Sequence, residues 1–423
     1  MSGHPAGLGL YRLLTALAEP FASLVLRRRA RRGKEDPARL GERLGRATVP
    51  RPDGAVIWIH GASVGESLSH LPLVERLFAE RPELNLLVTS GTVTSAAILA
   101  KRLPRGVIHQ YLPVDGPGAA KRFISHWRPD LAIFVESELW PNLLSAAQRG
   151  GSRLALLGAR ISQASARTWD RAPRAARAVL ELFDLIYVHD GETRDWIEDH
   201  GVEVAGKLDL KRIGEPLPYD PDAYERLRQA IGDRPVIVAA STHLGEEVLI
   251  GEAIRGLDPR PLLIMVPRHP ERGGAVALTL LARGWAVLQR SQIEVTGPKT
   301  DIYVADTLGE LGLFYRLADI VIMGGSFLED GRGHNPLEPA RLGKPVITGP
   351  HVDAFAETYA ELTAERAVLI ARDEAALAAA LQALVGEPRV AKALGDRALR
   401  ACARGWDAFD RAWADLQTLL PAP

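Results

Sequence analysis

The chain has 423 residues, more than one ordinary hydrophobic core accommodates, so two domains are expected. Apolar residues make up 47% and charged residues 25%, which is typical of a folded globular protein and excludes a disordered one. The 52 basic and 52 acidic residues cancel, so the chain has no overall basic charge that would favour binding to nucleic acid. The single cysteine, Cys402, excludes an internal disulfide.

The N-terminal segment, residues 1–35, joins an apolar run to a basic one. Leu8 to Leu26 is apolar but is interrupted by Arg12, Glu19 and Pro20, and an arginine cluster follows at 27–32. A bilayer span needs about 20 mostly apolar residues without such breaks, so no full transmembrane helix is predicted. No cleavage site of an exported protein follows. We interpret the segment as an amphipathic helix on an anionic membrane surface; the alternative is a surface helix packed on its own domain.

The stretch from Val56 to Glu66 predicts a strand, a turn and the start of a helix. The apolar run before His60 is typical of a short buried strand, and apolar spacing from Leu68 to Phe78 indicates the following helix. Turns of this kind lie at the carboxyl ends of strands, where open α/β sheets bind ligands. Ser63 and Glu66 also have the spacing of a capping box. On spacing alone, Glu66 is either a helix-capping residue or a catalytic acid.

Further apolar runs alternate with helical spacing, which indicates a parallel sheet covered on both faces. In the first half they are Leu84–Thr89, Val107–Leu112, Leu131–Val135, Arg153–Leu157 and Leu185–Val188. In the second half they are Val236–Ala240, Leu262–Val266, Ala286–Leu288, Ile302–Val304, Ile320–Met323 and Pro345–Thr348. Glu136 and Glu138 directly follow one of these strands.

The two series predict an α/β protein with two doubly wound, Rossmann-like domains and a ligand cleft between them. The first domain is placed at 36–212, a proline-containing linker at 213–219, and the second domain at 220–400. A C-terminal helix at 401–423 could pack back on the first domain. The chain has no P-loop, no complete G-x-G-x-x-G and no histidine pair with zinc-ligand spacing, so neither a metal nor a dinucleotide cofactor is expected.

The most unusual stretch of the second domain is Gly324–Ala340, GGSFLEDGRGHNPLEPA. Its Gly-Gly-Ser start follows an apolar strand and offers backbone N–H groups to an anion. Asn335 followed by Pro336 predicts a helix N-terminus, whose dipole suits a phosphate or carboxylate, with Glu338 able to accept hydrogen bonds from a ribose or base. The alternative is a stable loop with a well-capped helix. Arg268 lies between Pro267 and Pro270 at a strand end, where its guanidinium could bind a phosphate or form a surface ion pair.

Six motifs occur in order along the chain: ASVGE from Ala62, VESELWPN from Val135, STHLGEE from Ser241, VPRHPER from Val266, DTLGEL from Asp306 and GRGHNPLEP from Gly331. Together they resemble the transferases of 3-deoxy-D-manno-octulosonic acid (Kdo) in lipopolysaccharide assembly. The resemblance extends from Tyr11 to about Asp353.

The resemblance implies a GT-B fold and an inverting transfer of Kdo from CMP-Kdo to a lipid A precursor, lipid IVA, on the cytoplasmic face of the inner membrane. It implies Glu66 as general base and Glu136 as a stabiliser of the transition state. The segments matching those that bind CMP contain Arg268, His269, Leu308, Gly309, Glu310, Asn335, Pro336, Leu337 and Glu338.

One position departs from the family pattern. Members often have a lysine, a second stabilising group, where this chain has Asp209. Lys207 or Lys211 supplies the charge, or the role is lost. Two alternatives to Kdo transfer therefore stay open: a GT-B enzyme that uses another nucleotide sugar, and a membrane-peripheral nucleotide-binding protein with impaired catalysis.

Overall fold

The computed structural model describes residues 6–136, 139–214 and 216–422, except the side chains of Ala6 and Asp330. The chain divides into two compact units. Unit 1 contains the residues up to Gly214 and those from Gly405 onward, and unit 2 contains the residues between them, ending at Arg404.

Unit 1 has a parallel sheet of seven strands among its described residues, in the order β3-β2-β1-β4-β5-β6-β7. The strands are β1 Val56–His60, β2 Asn85–Ser90, β3 Ile108–Tyr111, β4 Leu131–Val135, β5 Arg153–Ala159, β6 Leu185–Val188 and β7 Gly206–Lys207. The helices are α1 Ala6–Ala30, α2 Leu40–Arg43, α3 Val64–Ser69, α4 Leu71–Glu80, α5 Val93–Arg102, α6 Pro117–Trp127, α7 Pro141–Arg149, α8 Gln163–Trp169, α9 Pro173–Leu180 and α10 Gly191–Asp199.

Unit 2 repeats this architecture, with seven described parallel strands in the order β10-β11-β9-β8-β12-β13-β14. They are β8 Val236–Thr242, β9 Leu262–Pro267, β10 Val287–Gln289, β11 Ile302–Val304, β12 Ile320–Met323, β13 Val346–Thr348 and β14 Leu369–Ile370. The helices are α11 Pro221–Ile231, α12 Glu246–Ala253, α13 Gly273–Leu281, α14 Leu311–Leu317, α15 Leu337–Ala340, α16 Ala356–Ala364 and α17 Glu374–Gly386. The last helix, α18 Pro388–Gln417, begins in unit 2, and its residues from Gly405 onward belong to unit 1.

The central strands are buried on both faces, which explains their continuous apolar runs. In unit 1, Trp58 of β1 pairs with Leu87 on one side and Ala132 on the other. Alternate residues of β1 belong to two separate cores: Trp58 packs with Phe123 of α6, and Ile59 lies in the cluster that contains Trp413 of α18. The doubly wound arrangement predicted from the sequence is confirmed.

The helix predicted over Leu68–Phe78 is in fact two helices, α3 and α4. Pro72 lies in the first turn of α4, where its missing N–H costs nothing, and a new helix begins there. Leu68 and Phe78 are 40% and 41% exposed, so they do not belong to the buried stripe as predicted. The short α3 is therefore a separate element that carries Glu66.

Candidate active site

The first candidate site lies at the carboxyl edge of the unit 1 sheet. Glu66 lies in α3 just after β1, and Glu136 directly follows β4, the parallel neighbour of β1. The chain leaves β1 toward β2 and later returns to the opposite side at β4, so both acids lie at the topological switch point, where open α/β sheets bind ligands. The third acid of the predicted group, Glu138, lies outside the described residues.

Glu66 is held by hydrogen bonds at both ends of its carboxylate. Its Oε2 accepts from the Ala62 N–H at 2.6 Å, and its Oε1 accepts from the Ser63 hydroxyl at 2.9 Å. The Ser63 hydroxyl oxygen in turn accepts from the Glu66 N–H at 3.2 Å, and the Ser63 N–H donates to Oε2 at 3.4 Å; together these two bonds form the capping box predicted from the sequence. The carboxylate is therefore oriented before any substrate binds, while Glu66 stays half-buried and accessible.

Glu136 has a left-handed backbone, with φ of 62°, which is uncommon outside glycine. Its N–H donates to the Leu157 carbonyl at 3.1 Å, so β5 holds this conformation in place. One carboxylate oxygen lies 2.7 Å from Nζ of Lys211. Because strained backbone clusters at functional sites, this geometry supports a functional role for Glu136.

The structure distinguishes the two lysines that the sequence left as alternatives. Lys211 forms the ion pair with Glu136, whereas Lys207 is exposed on the edge strand β7. Asp209 has a structural role: its side chain accepts from the Lys211 N–H at 2.9 Å and caps the one-turn helix Leu210–Arg212. Only the fold could show this, since Glu136 and Lys211 are distant in sequence.

The glycine-rich loop after β12 differs from the prediction. Its N–H groups were expected to bind an external anion, but those of Gly325, Ser326 and Phe327 donate to the carboxylate of Glu246 at 2.7, 2.9 and 2.9 Å. Glu246 is fully buried and also accepts from the His243 N–H at 2.8 Å. The prediction was wrong because an acid from α12 already occupies the anion site.

Three histidines and an arginine lie beside this loop at the carboxyl edge of unit 2. Nε2 of His243, after β8, lies 3.0 Å from Nε2 of His334. Burial, His243 and the nearby Arg268 lower the pKa of His334 to about 4, so His334 is neutral at pH 7. Gly325 permits this approach, since a Cβ there would come within 2.8 Å of the His334 ring. Arg268 and His269, after β9, are exposed at the same edge.

The segment Leu308-Gly309-Glu310 precedes α14, and its acid is already paired. Glu310 forms a bidentate ion pair with Arg290, at 2.6 and 3.0 Å, and accepts from the Thr307 hydroxyl. Burial would raise the pKa of Glu310, but Arg290 and Thr307 hold it below its ordinary value. Arg290 was not singled out in the sequence because no local pattern distinguishes it. Leu308 is 84% exposed, so this turn presents backbone and an apolar side chain to solvent.

The predicted helix N-terminus at Asn335 and Pro336 is only partly as expected. The Asn335 side chain accepts from the Leu337 N–H at 3.1 Å, as a capping residue does. However, α15 has four residues, Leu337–Ala340, so it is too short for the strong dipole that was predicted. Burial raises the pKa of Glu338, and Arg341, the Tyr315 hydroxyl and Arg268 only partly oppose that shift.

Among residues 6–136, 139–214 and 216–422, no group of three or more His, Cys, Asp or Glu side chains is arranged to hold a metal ion. The candidate residues therefore form two edges of different character. The edge of unit 1 presents carboxylates and one lysine. The edge of unit 2 presents arginine, histidines and backbone turns, which suit an anionic ligand.

Comparison with known proteins finds relatives over most of the chain. Residues 38–211 match the family model described as "3-Deoxy-D-manno-octulosonic-acid transferase (kdotransferase)". The chain is 36% identical to a 3-deoxy-D-manno-octulosonic acid transferase of Bordetella pertussis, over 95% of this chain and 96% of that protein. It is 37% identical to a probable mitochondrial transferase of the same description from Arabidopsis thaliana, over 82% and 80% of the two chains. A solved glycosyltransferase from Rickettsia africae has a TM-score of 0.53, at 14% identity, over 87% of this chain and 98% of that one.

Two doubly wound units with candidate site residues at their carboxyl edges have the architecture of the GT-B fold. The transferase relatives show that the chain is a glycosyltransferase. The identity to the bacterial transferase extends over nearly the whole of both chains. The chain belongs to the Kdo transferase family, as its motifs indicated.

Proposed function

We propose that the protein transfers Kdo from CMP-Kdo to a lipid A precursor, with Glu66 as general base. The observation that carries this proposal is the carboxylate of Glu66, fixed by the Ala62 N–H and the Ser63 hydroxyl at the switch point of unit 1. Glu66 takes the proton of the acceptor hydroxyl while the oxygen bonds to the anomeric carbon of Kdo. The bond from that carbon to the phosphate oxygen breaks, and CMP leaves with inversion.

Unit 2 is proposed to bind the CMP part of the donor. The residues proposed for this are Arg268, His269, Leu308, Gly309, Glu310, Asn335, Pro336, Leu337 and Glu338. Arg268 suits the phosphate because a guanidinium pairs with two phosphate oxygens. Since Arg290 and Thr307 occupy the Glu310 carboxylate, the proposed contribution of that segment is its backbone and not its acid.

The first helix is proposed to attach the protein to the cytoplasmic face of the inner membrane. Gly7–Ala30 is long and apolar enough to cross a bilayer by length and composition alone. Yet α1 packs on unit 1 through polar groups: Tyr11 donates to Asp115, Asn142 to Thr15, and the Gly118 N–H to Glu19. These contacts along one side of α1 favour a helix that lies on the membrane over one that crosses it.

The opposite side of α1 supports the same proposal. Its apolar side chains are 55–68% exposed and recur at helical spacing, at Leu10, Leu13, Leu14, Leu17, Phe21, Leu24 and Val25. A helix packed only on its own domain would bury such a stripe. The exposed arginines at the end of the helix would lie against anionic headgroups.

The test is turnover by purified protein in detergent, with CMP-Kdo generated in place and a tetraacylated lipid A precursor as acceptor. Wild type should add one or more Kdo units by product mass, and Glu66→Gln should lower the rate about 10²- to 10⁴-fold, the usual contribution of a general base. Glu203→Gln, an exposed acid of the same unit, is the matched control and should keep wild-type activity. Wild type that binds CMP but makes no product would overturn the proposal in favour of another donor or a binding protein.

A further inference from the structure

We infer that α1 has a task besides membrane attachment: its polar face positions the loop that carries Glu136. Tyr11 and Thr15 of α1 are the positioning residues, and they act through the first turn of α7. The inference rests on the proposed function, because it assigns Glu136 a part in Kdo transfer. It deepens that function, since it makes α1 part of the framework of the active site as well as an anchor.

The loop that carries Glu136 is short, so its position depends on both of its ends. β4 ends at Val135 and α7 begins at Pro141, which leaves residues 136–140 as the whole connection. At the first end, the Glu136 N–H donates to the Leu157 carbonyl and holds the left-handed backbone. At the second end, the loop is fixed only as well as the first turn of α7 is fixed.

The first turn of α7 takes its cap from another segment. Its N-cap residue is Trp140, whose side chain can donate a hydrogen bond but cannot accept one. Asp115, just before α6, supplies the acceptors: Oδ1 accepts from the Leu143 N–H at 2.8 Å, and Oδ2 accepts from the Asn142 N–H at 3.2 Å. Asp115 therefore does for α7 what an N-cap side chain usually does.

α1 holds both the capping acid and the capped helix. The Tyr11 hydroxyl donates to Oδ2 of Asp115 at 2.9 Å. One turn later, the Thr15 hydroxyl accepts from Nδ2 of Asn142 at 2.9 Å. The same Nδ2 donates to the Asp115 carbonyl at 2.7 Å. Asn142 is only 5% exposed, so little water competes for these bonds, and the start of α7 is tied to α1.

A third residue of the same face fixes the chain that follows Asp115. Glu19 accepts from the Gly118 N–H at 2.7 Å and so binds the first turn of α6. A Cβ at Gly118 would come within 2.5 Å of the Glu19 carboxylate, so a larger side chain there would displace Glu19. Tyr11, Thr15 and Glu19 recur every four residues, which places them on one side of α1. That side is the one bonded to unit 1.

The Tyr11 hydroxyl also keeps Asp115 suited to capping. Burial raises the pKa of Asp115, and the bonds from Tyr11, Leu143 and Asn142 only partly oppose that shift. Protonation turns one carboxyl oxygen into a donor, which leaves poorer acceptors for the two backbone N–H groups of α7. Loss of the Tyr11 bond should therefore weaken the cap by more than the one hydrogen bond that is removed.

The test measures kcat in detergent at saturating acceptor for three variants. Tyr11→Phe should lower kcat at least fivefold and Thr15→Val at least threefold. The Kd of CMP, whose proposed site is in unit 2, should stay within twofold of wild type in both. Tyr187→Phe is the matched control, because the Tyr187 hydroxyl donates to Asp415 at 2.7 Å in the same unit but holds α18 and not α7. It should keep kcat within twofold of wild type.

Binding to vesicles of anionic phospholipid separates positioning from attachment. Tyr11→Phe leaves the exposed apolar stripe of α1 intact and should bind vesicles as wild type does, with Leu17→Glu as the example of lost binding. Thermal unfolding shows whether each variant is folded. If Tyr11→Phe is unstable, Thr15→Val decides the test, since it removes only one bond between α1 and α7.

Wild-type kcat in both Tyr11→Phe and Thr15→Val, or an equal loss in Tyr187→Phe, would overturn the inference while wild-type turnover upholds the proposed function. Loss of vesicle binding in Tyr11→Phe without a change in kcat would make the contact an anchor only, and would also overturn the inference. Wild type without turnover would overturn both.

Discussion

At the scale of the residue, Ser63 and Glu66 form one unit that serves both the helix and the proposed reaction. The same hydroxyl that accepts the Glu66 N–H donates to its carboxylate. The capping role and the catalytic role, which the sequence presented as alternatives, are therefore compatible in the structure. The catalytic role itself stays a prediction.

Ser63→Ala should lower stability by about 1 kcal/mol through the lost cap. It should also lower kcat by roughly tenfold, as expected for the loss of about 1.4 kcal/mol of transition-state stabilisation, because Oε1 of Glu66 loses the hydrogen bond from the Ser63 hydroxyl. Ser162→Ala is the matched control, since the Ser162 hydroxyl caps α8 by accepting from the Ser165 N–H and is assigned no part in the reaction. Urea unfolding and turnover give the two quantities. An equal loss of activity in both variants would contradict a special role for Ser63.

Glu246 is the second residue whose role is set by the fold. Its buried carboxylate accepts four backbone N–H groups, so its removal leaves them unpaired at about 1–3 kcal/mol each before relaxation. Glu246→Ala should lower the free energy of unfolding of unit 2, measured with urea, by about 3–5 kcal/mol, because water that enters the site pairs with some of these N–H groups. Glu271→Ala, whose side chain is 75% exposed, should change stability by less than about 0.5 kcal/mol. A small loss for Glu246→Ala would show that the loop does not depend on this acid.

At the scale of the element, α1 inverts the usual orientation of a surface helix. Its polar side meets the protein through Tyr11, Thr15 and Glu19, and its apolar side is exposed. Hydrophobic periodicity predicts a helix with two faces but does not say which face meets the domain. The structure answers that question, and the answer supports a lipid surface as the partner of the apolar stripe.

Leu17→Glu should weaken binding to vesicles of anionic phospholipid by tenfold or more, since burying one leucine contributes about 1.5–3 kcal/mol. Leu17 is 65% exposed, so the substitution should not affect folding. Leu244→Glu is the control, because Leu244 is 81% exposed in unit 2 and lies outside the stripe. Sedimentation with vesicles measures the binding. Unchanged binding of Leu17→Glu would place the membrane contact elsewhere.

At the scale of the whole molecule, buried histidines make both units sensitive to acid. Burial lowers the pKa of His70 to about 3 and of His109 to about 4 in unit 1, and of His334 to about 4 in unit 2. His70 is fully buried, and neither ring nitrogen has a hydrogen-bond partner among the described residues. The folded state therefore requires these rings to be neutral.

The pKa values of these histidines in the folded state lie below the unfolded value of about 6.5. Their neutral rings therefore contribute stability that is fully present above pH 6.5 and is lost as pH falls toward 4. Each pH unit in that window costs up to about 1.4 kcal/mol per histidine. The urea concentration at the midpoint of unfolding should be lower at pH 5 than at pH 7. In His70→Leu, which has no charge to bury, the fall for unit 1 should be smaller. An equal fall in that variant would exclude His70 as a cause.

The periodic and continuous apolar patterns determined most of the fold from the sequence. β4, β6, β11 and β12 have the predicted bounds, because strands buried on both faces give uninterrupted apolar runs. The two-residue edge strands β7 and β14 were missed, since so short a pairing leaves no periodicity. The helix break at Pro72 was also missed, although proline there is a local signal.

The candidate acids and the family were likewise determined by the sequence, because strand-end position and motif order are local properties of the chain. Only the tertiary structure decided how the polar groups pair. Glu246 occupies N–H groups about eighty residues away, Arg290 holds Glu310, and Lys211 and not Lys207 meets Glu136. Such pairings depend on which loops the parallel sheet brings to one edge, and the spacing of residues along the chain does not contain that information.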